Sequence, residues 1–359
     1  MKSLKIFKLI ILVFACLAIT VSCVKEGPIG PAGADGADGA DGNDGQNGVD
    51  GNITCLVCHS GNNMDEKEAQ FSLSVHKSGE NAVAYAGGRA SCARCHSHEG
   101  FVQYAEFGKV LGDISAPSAW KCGTCHGLHK TFESTDYALR LADPVVSLFD
   151  PDVTMDLGGN SNLCANCHQS RKPGPVDEDQ YSRKGTLVDA AGNGLYAITS
   201  VYYGPHHGPQ ANVVAGVGFV EIPGSVAYPE AGSSFHLNQA SCTGCHMAEF
   251  SNGQGGHTWN PSLDACNTCH GIDEDNFNYG GMQTNINTRL EELRDKLVEL
   301  GVVEWVEEEG EFKPVVGTYP ILQVQAFFNW TGLEEDRSLG VHNPKYVNAL
   351  LINTLEALQ

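Results

Sequence analysis

Cys-x-x-Cys-His recurs six times in this chain of 359 residues: Cys55-Cys58-His59, Cys92-Cys95-His96, Cys122-Cys125-His126, Cys164-Cys167-His168, Cys242-Cys245-His246 and Cys266-Cys269-His270. Together the motifs use twelve of the fourteen cysteines. Two thiols at this spacing form thioethers with the vinyl groups of a haem, and the adjacent imidazole ligates the iron from the same side. Structural zinc takes four ligands from two Cys-x-x-Cys pairs and needs no His after the second Cys; a disulfide framework has no use for one either. The pattern therefore predicts six haem c groups, with His59, His96, His126, His168, His246 and His270 as proximal ligands.

The chemistry then turns on the far side of each iron. A haem closed by two strong protein ligands exchanges electrons, whereas an open position also admits a small substrate. Eight histidines lie outside the motifs, namely His76, His98, His129, His206, His207, His236, His257 and His342. They are the distal candidates, and eight suffice for six places; at any single position the plain alternative is an exposed spare imidazole. His206 and His207 are adjacent, so one of the two is expected to ligate. His98 and His129 follow their own motifs too closely to reach the far face of the same haem, so each, if it ligates, would bind the iron of a neighbour. Met247, directly after His246, is either a sulfur ligand that would raise a potential or ordinary filler. Arg171, Lys172 and Arg183 are cations that an anionic substrate would use, or else solvated surface. No catalytic residue is assigned.

The elements that must position these groups are sparse. From residue 52 to 271 there is little sustained apolar periodicity and much Gly, Pro, Ser and Asn, so the flat apolar porphyrins are expected to supply the core that the chain lacks. Motif starts are 37, 30, 42, 78 and 24 residues apart, too irregular for a tandem repeat. The widest gap holds Thr186-Leu187-Val188 and Leu195 to Ile198 around Ala-Ala-Gly-Asn-Gly, which reads as a hairpin over Gly185 to Ile198. Beyond residue 271 the character changes. Leu290, Leu293, Leu297 and Leu300 share one helical face, opposite Glu291, Glu292, Arg294, Asp295 and Lys296. Further helices are predicted over Ile321 to Trp330 and over Pro344 to Leu358, the latter opened by proline in its first turn. The expected fold is mostly α with many loops: a haem-cored body over 52–271 with a small β-hairpin insertion, and a C-terminal helical segment over 272–359 packed upon it.

Residues 1–22 read as an export signal, with Lys2, Lys5 and Lys8 before the apolar run Leu9 to Val21. It ends at Ser22-Cys23, which resembles a bacterial lipoprotein signal with Cys23 as the lipidated residue; an ordinary secretory signal is the alternative. Residues 23–51 then carry Gly at every third position from Gly27 to Gly51, a collagen-like tract with only Pro28 and Pro31 and five aspartates without lysine partners. It reads as an extended spacer of about 70 Å or as a trimeric stalk. The formal charge of -21 becomes -24 once the three lysines of residues 1–22 are removed. So acidic a chain is unsuited to nucleic acid or anionic lipid and suited to cationic redox partners or an extracellular acceptor. Membrane association is expected through the lipid anchor alone.

With its six motifs across residues 55–270 the chain resembles a multihaem c-type cytochrome. Gly255-Gly256-His257-Thr258 and Asp336-Arg337-Ser338-Leu339-Gly340-Val341-His342-Asn343-Pro344 resemble segments of the nitrite reductase and hydroxylamine oxidoreductase superfamily. That resemblance implies distal roles for His257 and His342. The chain lacks the Cys-x-x-Cys-Lys motif that usually holds the active-site haem of such nitrite reductases, and it has fewer haem motifs than hydroxylamine oxidoreductases. Three functions are open at this stage: an exported carrier of electrons through mostly bis-His haems, an oxidoreductase with one open haem acting on a small nitrogen or sulfur compound, and a subunit of an extracellular cytochrome filament.

Overall fold

The computed structural model describes residues 59, 61–129, 138–175, 185–187, 194–271 and 276–359. The signal, Cys23, the Gly-X-Y tract, Cys55, Cys58 and Arg183 lie outside the described residues, which all belong to one compact unit, 50–359. The architecture is mostly helical with small antiparallel hairpins, as the sequence leads one to expect.

Up to residue 271 the described helices are short, and the second to sixth motifs lie or begin in them. Helices α1 (Asn63–Ser72), α2 (Val75–Ser78) and α3 (Glu80–Ala86) precede the second motif, which forms α4 (Ala90–His96). Helix α5 (His98–Phe107) follows, and the third motif begins in α6 (Cys122–Cys125). After the two-residue strands β1 (Val145–Val146) and β2 (Thr154–Met155), the fourth motif opens in α7 (Asn162–Ala165). The hairpin strands β3 (Gly185–Leu187) and β4 (Leu195–Ile198) come next, then α8 (Gln210–Ala215) and α9 (Phe235–Gln239). The last two motifs are α10 (Ser241–His246) and α11 (Leu263–His270).

One helical turn serves the motif because residues three apart share a face, which brings both thiols to the same side with the imidazole next to them. The i to i−4 bonds His126 N–H to Cys122 O and His168 N–H to Cys164 O, both 2.9 Å, close that turn even where the helix goes no further. Side-chain caps fix where turns begin: Ser97 Oγ accepts from Gly100 N at 3.2 Å and Ser262 Oγ from Ala265 N at 3.3 Å. Gly100 is needed for a second reason. A Cβ there would lie 2.3 Å from the carbonyl oxygen of Ala93, so only glycine lets α5 cross the second-motif helix this closely.

The polypeptide's own core is C-terminal. Helix α12 (Met282–Glu299) buries Ile286, Leu290, Leu293 and Leu297; Leu300, predicted for the same face, caps it and is partly buried. It packs against α13 (Ile321–Asp336) and α14 (Pro344–Ala357), which contribute Val324, Phe327, Phe328, Leu350 and Leu351. A second buried cluster is small and lies beside the fourth motif, built on Val145, Met155, Leu157, Ala165, Val214 and Leu237. A buried aliphatic or aromatic side chain contributes about 1.5–3 kcal/mol of transfer free energy, so the first cluster carries most of the hydrophobic stabilisation the chain provides for itself. Two wholly buried amides bind a loop to it. Asn329 exchanges hydrogen bonds of 2.9 and 2.8 Å with the backbone of Val220, and Asn353 does the same with Val226.

The predicted hairpin is present, with Thr186 opposite Ala197 and Leu187 opposite Tyr196. The sequence reading missed its third strand, β7 (Gly317–Pro320), which pairs Tyr319 with Tyr196 and joins the insertion to the C-terminal core. It also missed a second hairpin, β5 (Val303–Val306) with β6 (Glu311–Pro314). Helix α13 runs six residues beyond the predicted end at Trp330, and the added turns carry Glu335 and Asp336 to the motif region.

Candidate metal centres

All six motif histidines are among the described residues, and each faces one histidine from outside the motifs. The ring-centre separations are 6.1 Å for His59 and His129, 6.0 Å for His96 and His206, and 6.4 Å for His126 and His257. They are 6.1 Å for His168 and His76, 6.3 Å for His246 and His342, and 6.2 Å for His270 and His236. A metal ion bound at about 2 Å by one nitrogen of each of two imidazoles would set the ring centres roughly 6.2 Å apart. The six pairs use twelve different histidines, so no ring is shared.

The residues around the pairs fit a large apolar group. Residues of all six motifs line one continuous cavity of about 1820 Å³. That is about twice or more the volume of a site for one small ligand. Met64, Val75, Leu148, Phe235 and Tyr279, large apolar side chains that the fold leaves exposed, line it too. Nδ1 of His96 and of His257 is buried without a hydrogen-bond partner. Burial, with His168 beside it, pushes His76 down to about 4; burial likewise lowers His96, His168, His246 and His257. These rings are therefore neutral at physiological pH, the form that binds metal.

Contacts to Nδ1 orient several rings so that Nε2 is free to face the partner. His168 Nδ1 meets Gln210 Oε1 at 3.1 Å, His246 Nδ1 the Trp259 carbonyl at 2.7 Å, and His236 Nδ1 the Val341 carbonyl at 2.5 Å. His342 Nδ1 meets Asp336 Oδ1 at 2.6 Å. The C-terminal segment thus reaches three ligand pairs: through Asp336 and His342, through Val341, and through Gln210, whose amide donates to the Glu335 carbonyl at 3.1 Å. The sequence singles out His342 in this segment, but the parts that Glu335, Asp336 and Val341 play through their contacts were not legible there.

Trp259 also joins three pairs, two of which the C-terminal segment reaches as well. Its ring lies 5.0 Å from His76 and 5.7 Å from His257, and its carbonyl holds His246. Its φ of 56° is left-handed, as are those of His129 (55°) and His206 (86°), a costly backbone for such side chains that recurs where function fixes a residue's direction.

The motifs also meet one another. Cys95 Sγ lies 3.7 Å from the Asn166 carbonyl oxygen and Cys167 Sγ 3.9 Å from that of Arg94. Arg94 Nη2 donates to Asn166 Oδ1 at 3.3 Å, and the hydroxyls of Ser161 and Thr243 lie 3.1 Å apart. The fourth motif is therefore central, with the second on one side and the fifth on the other. Ser262 N–H donates to Cys245 O at 3.0 Å, so the sixth follows from the fifth.

The structure places the two remaining candidates elsewhere. His98 Nδ1 is hydrogen-bonded to Thr124 Oγ1 at 2.7 Å, and among the described residues no motif ring is paired with it. His207, largely exposed, pairs with Glu335 at 2.7 Å, a contact that raises the imidazole against the opposing effect of burial. Met247 lines the cavity, but the ring opposite His246 is that of His342. Arg171 donates to Ser91 O at 3.2 Å.

The fold resembles that of a cytochrome. A search of solved structures finds the outer cell wall cytochrome OcwA, with a TM-score of 0.51 and 17% sequence identity over 82% of this chain. This chain matches 50% of OcwA, about half its length. No protein-family model and no curated protein matches the sequence.

Proposed function

We propose that this protein is an exported c-type cytochrome that carries electrons through six covalently held haems, each closed by two histidines. In this reading His59, His96, His126, His168, His246 and His270 are proximal, and His129, His206, His257, His76, His342 and His236 are the respective distal ligands. The cysteines of the six motifs hold the porphyrins. The observation that carries the reading is the set of six separate ring pairs at 6.0 to 6.4 Å. Haem supplies one-electron chemistry at iron, and two strong axial ligands leave no position for a substrate.

Support also comes from the likeness in fold to an outer cell wall cytochrome and from the two sequence segments, since His257 and His342 are the histidines that those segments single out. Residues 1–22 and Cys23 then export and anchor the protein, and residues 23–51 extend it from the membrane. Its donors or acceptors are other redox proteins or an extracellular acceptor, approached by a strongly acidic body.

Carbon monoxide tests the closure. The dithionite-reduced protein, shown by pyridine haemochrome assay to hold six haems per chain, should give no change in its Soret band under carbon monoxide. A carbon monoxide complex amounting to one haem in six would favour the oxidoreductase reading instead.

A further inference from the structure

The ring pairs differ in what holds their outer nitrogens. His168 meets an amide oxygen, and His236 and His246 meet backbone carbonyls, all neutral acceptors. His342 meets a carboxylate, Asp336 Oδ1 at 2.6 Å. The Asp336 side chain is wholly buried, its exposure 0%. Its other oxygen accepts from the Ser338 hydroxyl, and Ser338 Oγ in turn accepts the His342 backbone N–H at 3.3 Å. The left-handed residues Arg337 (φ 58°) and Leu339 (φ 49°) fold the segment back so that Asp336 and His342 meet.

A carboxylate that accepts the ring N–H draws its proton outward and makes the far nitrogen a more basic ligand. It also sets a negative charge in a low-dielectric interior, where it favours the more positive of two iron states. Both effects stabilise ferric over ferrous iron. We propose that Asp336, acting through His342, tunes the iron between His246 and His342 to a lower potential than the irons of the adjoining fourth and sixth motifs. The inference rests on the bis-His reading above. Its consequence is an uphill step for an electron entering the fifth site from either side, in a row where Ser161 beside the fourth motif is hydrogen-bonded to Thr243 of the fifth and the Cys245 carbonyl accepts from Ser262 N–H ahead of the sixth.

Spectroelectrochemical titration of the full-length holoprotein tests it, with Asp336→Asn, Asp336→Glu, Ser338→Ala and His342→Ala as variants. Asp336→Asn should raise one of the six couples by at least a tenfold change in the ferrous-to-ferric ratio, about 59 mV for one electron, and keep all irons low-spin. Asp336→Glu should stay near the wild-type couple. Ser338→Ala, which strips a donor from the carboxylate, should move the same couple down. This variant keeps the test open if Asp336→Asn does not fold. His342→Ala should turn one iron high-spin. If it does, and neither Asp336→Asn nor Ser338→Ala moves any couple, the tuning role is overturned while the ligand pairs stand. If His342→Ala leaves every iron low-spin, the ligand reading fails and the tuning role with it.

Discussion

Replacing Cys164 and Cys167 together by alanine will prevent the protein from accumulating in folded form, whereas replacing Cys266 and Cys269 will leave a folded protein with five haems. The fourth motif is the centre of the array: Cys167 Sγ reaches the Arg94 carbonyl, Asn166 binds Arg94, and Ser161 just before the motif binds Thr243 of the fifth. The small buried cluster of Val145, Leu157, Ala165 and Val214 also rests on it. Truncating one large core side chain costs about 2–5 kcal/mol. Loss of a porphyrin removes several times that apolar area from a region with little else to bury, against a total stability of about 5–15 kcal/mol. The sixth motif is linked to the array through the fifth, where Ser262 N–H donates to Cys245 O at 3.0 Å, and neither buried cluster includes its residues. Yield of soluble protein, haem per chain and resistance to proteolysis distinguish the two double variants. A Cys164→Ala/Cys167→Ala protein that accumulates with five haems and wild-type protease resistance would contradict the central role of the fourth motif.

The second large effect is expected from His76. Its ring faces His168 at 6.1 Å and is wedged between Trp120 (5.4 Å) and Trp259 (5.0 Å), in surroundings that keep it neutral. His76→Ala should open one iron in six, giving a high-spin signal in the oxidised protein and a carbon monoxide complex in the reduced one. His98→Ala should do neither, because His98 is held by Thr124 and, among the described residues, is paired with no motif ring. Similar spectra for the two variants would dissolve the distinction between ligand and spare histidine.

Much of this was legible in the sequence, and the limit has a physical cause. The cysteines and histidines proposed for thioether and proximal roles are local: one helical turn brings them together, so the motif alone specifies them. The histidines that face them are supplied by other segments of the chain. Counting eight for six established sufficiency, and adjacency argued that only one of His206 and His207 would ligate; the structure sets His206 opposite His96. His129, expected to serve a neighbouring haem if it ligates, lies opposite His59 of the first motif. No local rule could pair His76 with His168 or His236 with His270. Nor could one find Asp336, which lies in a stretch that continues a helix and becomes part of the site only because α13 outlasts its predicted end.

The missed strands have a similar explanation. Val303-Glu304-Trp305-Val306 and Glu311-Phe312-Lys313-Pro314 flank a turn that ends in Gly310, a usable hairpin signal. The run of glutamates between them masked it, because Glu is depleted in strands. Strand β7 has only four residues, one of them proline and one glycine, and it is held in place by its partner Leu195–Ile198 rather than by its own propensity. The helices of the C-terminal core were the easiest to read, since leucines at helical spacing against charged neighbours leave one orientation that buries them.

Electron paramagnetic resonance of the fully oxidised protein tests the central claim most directly. Six irons, each between two imidazoles, should all be low-spin, and the ring planes should divide them into two groups. Three pairs are steeply crossed, at 82° for His76 and His168, 79° for His236 and His270, and 67° for His96 and His206; these should give strongly anisotropic signals. Three are closer to parallel, at 16°, 33° and 39°, and should give ordinary rhombic ones. A high-spin signal integrating to one or more irons per chain would contradict the closed array and point to a protein with a haem open for chemistry.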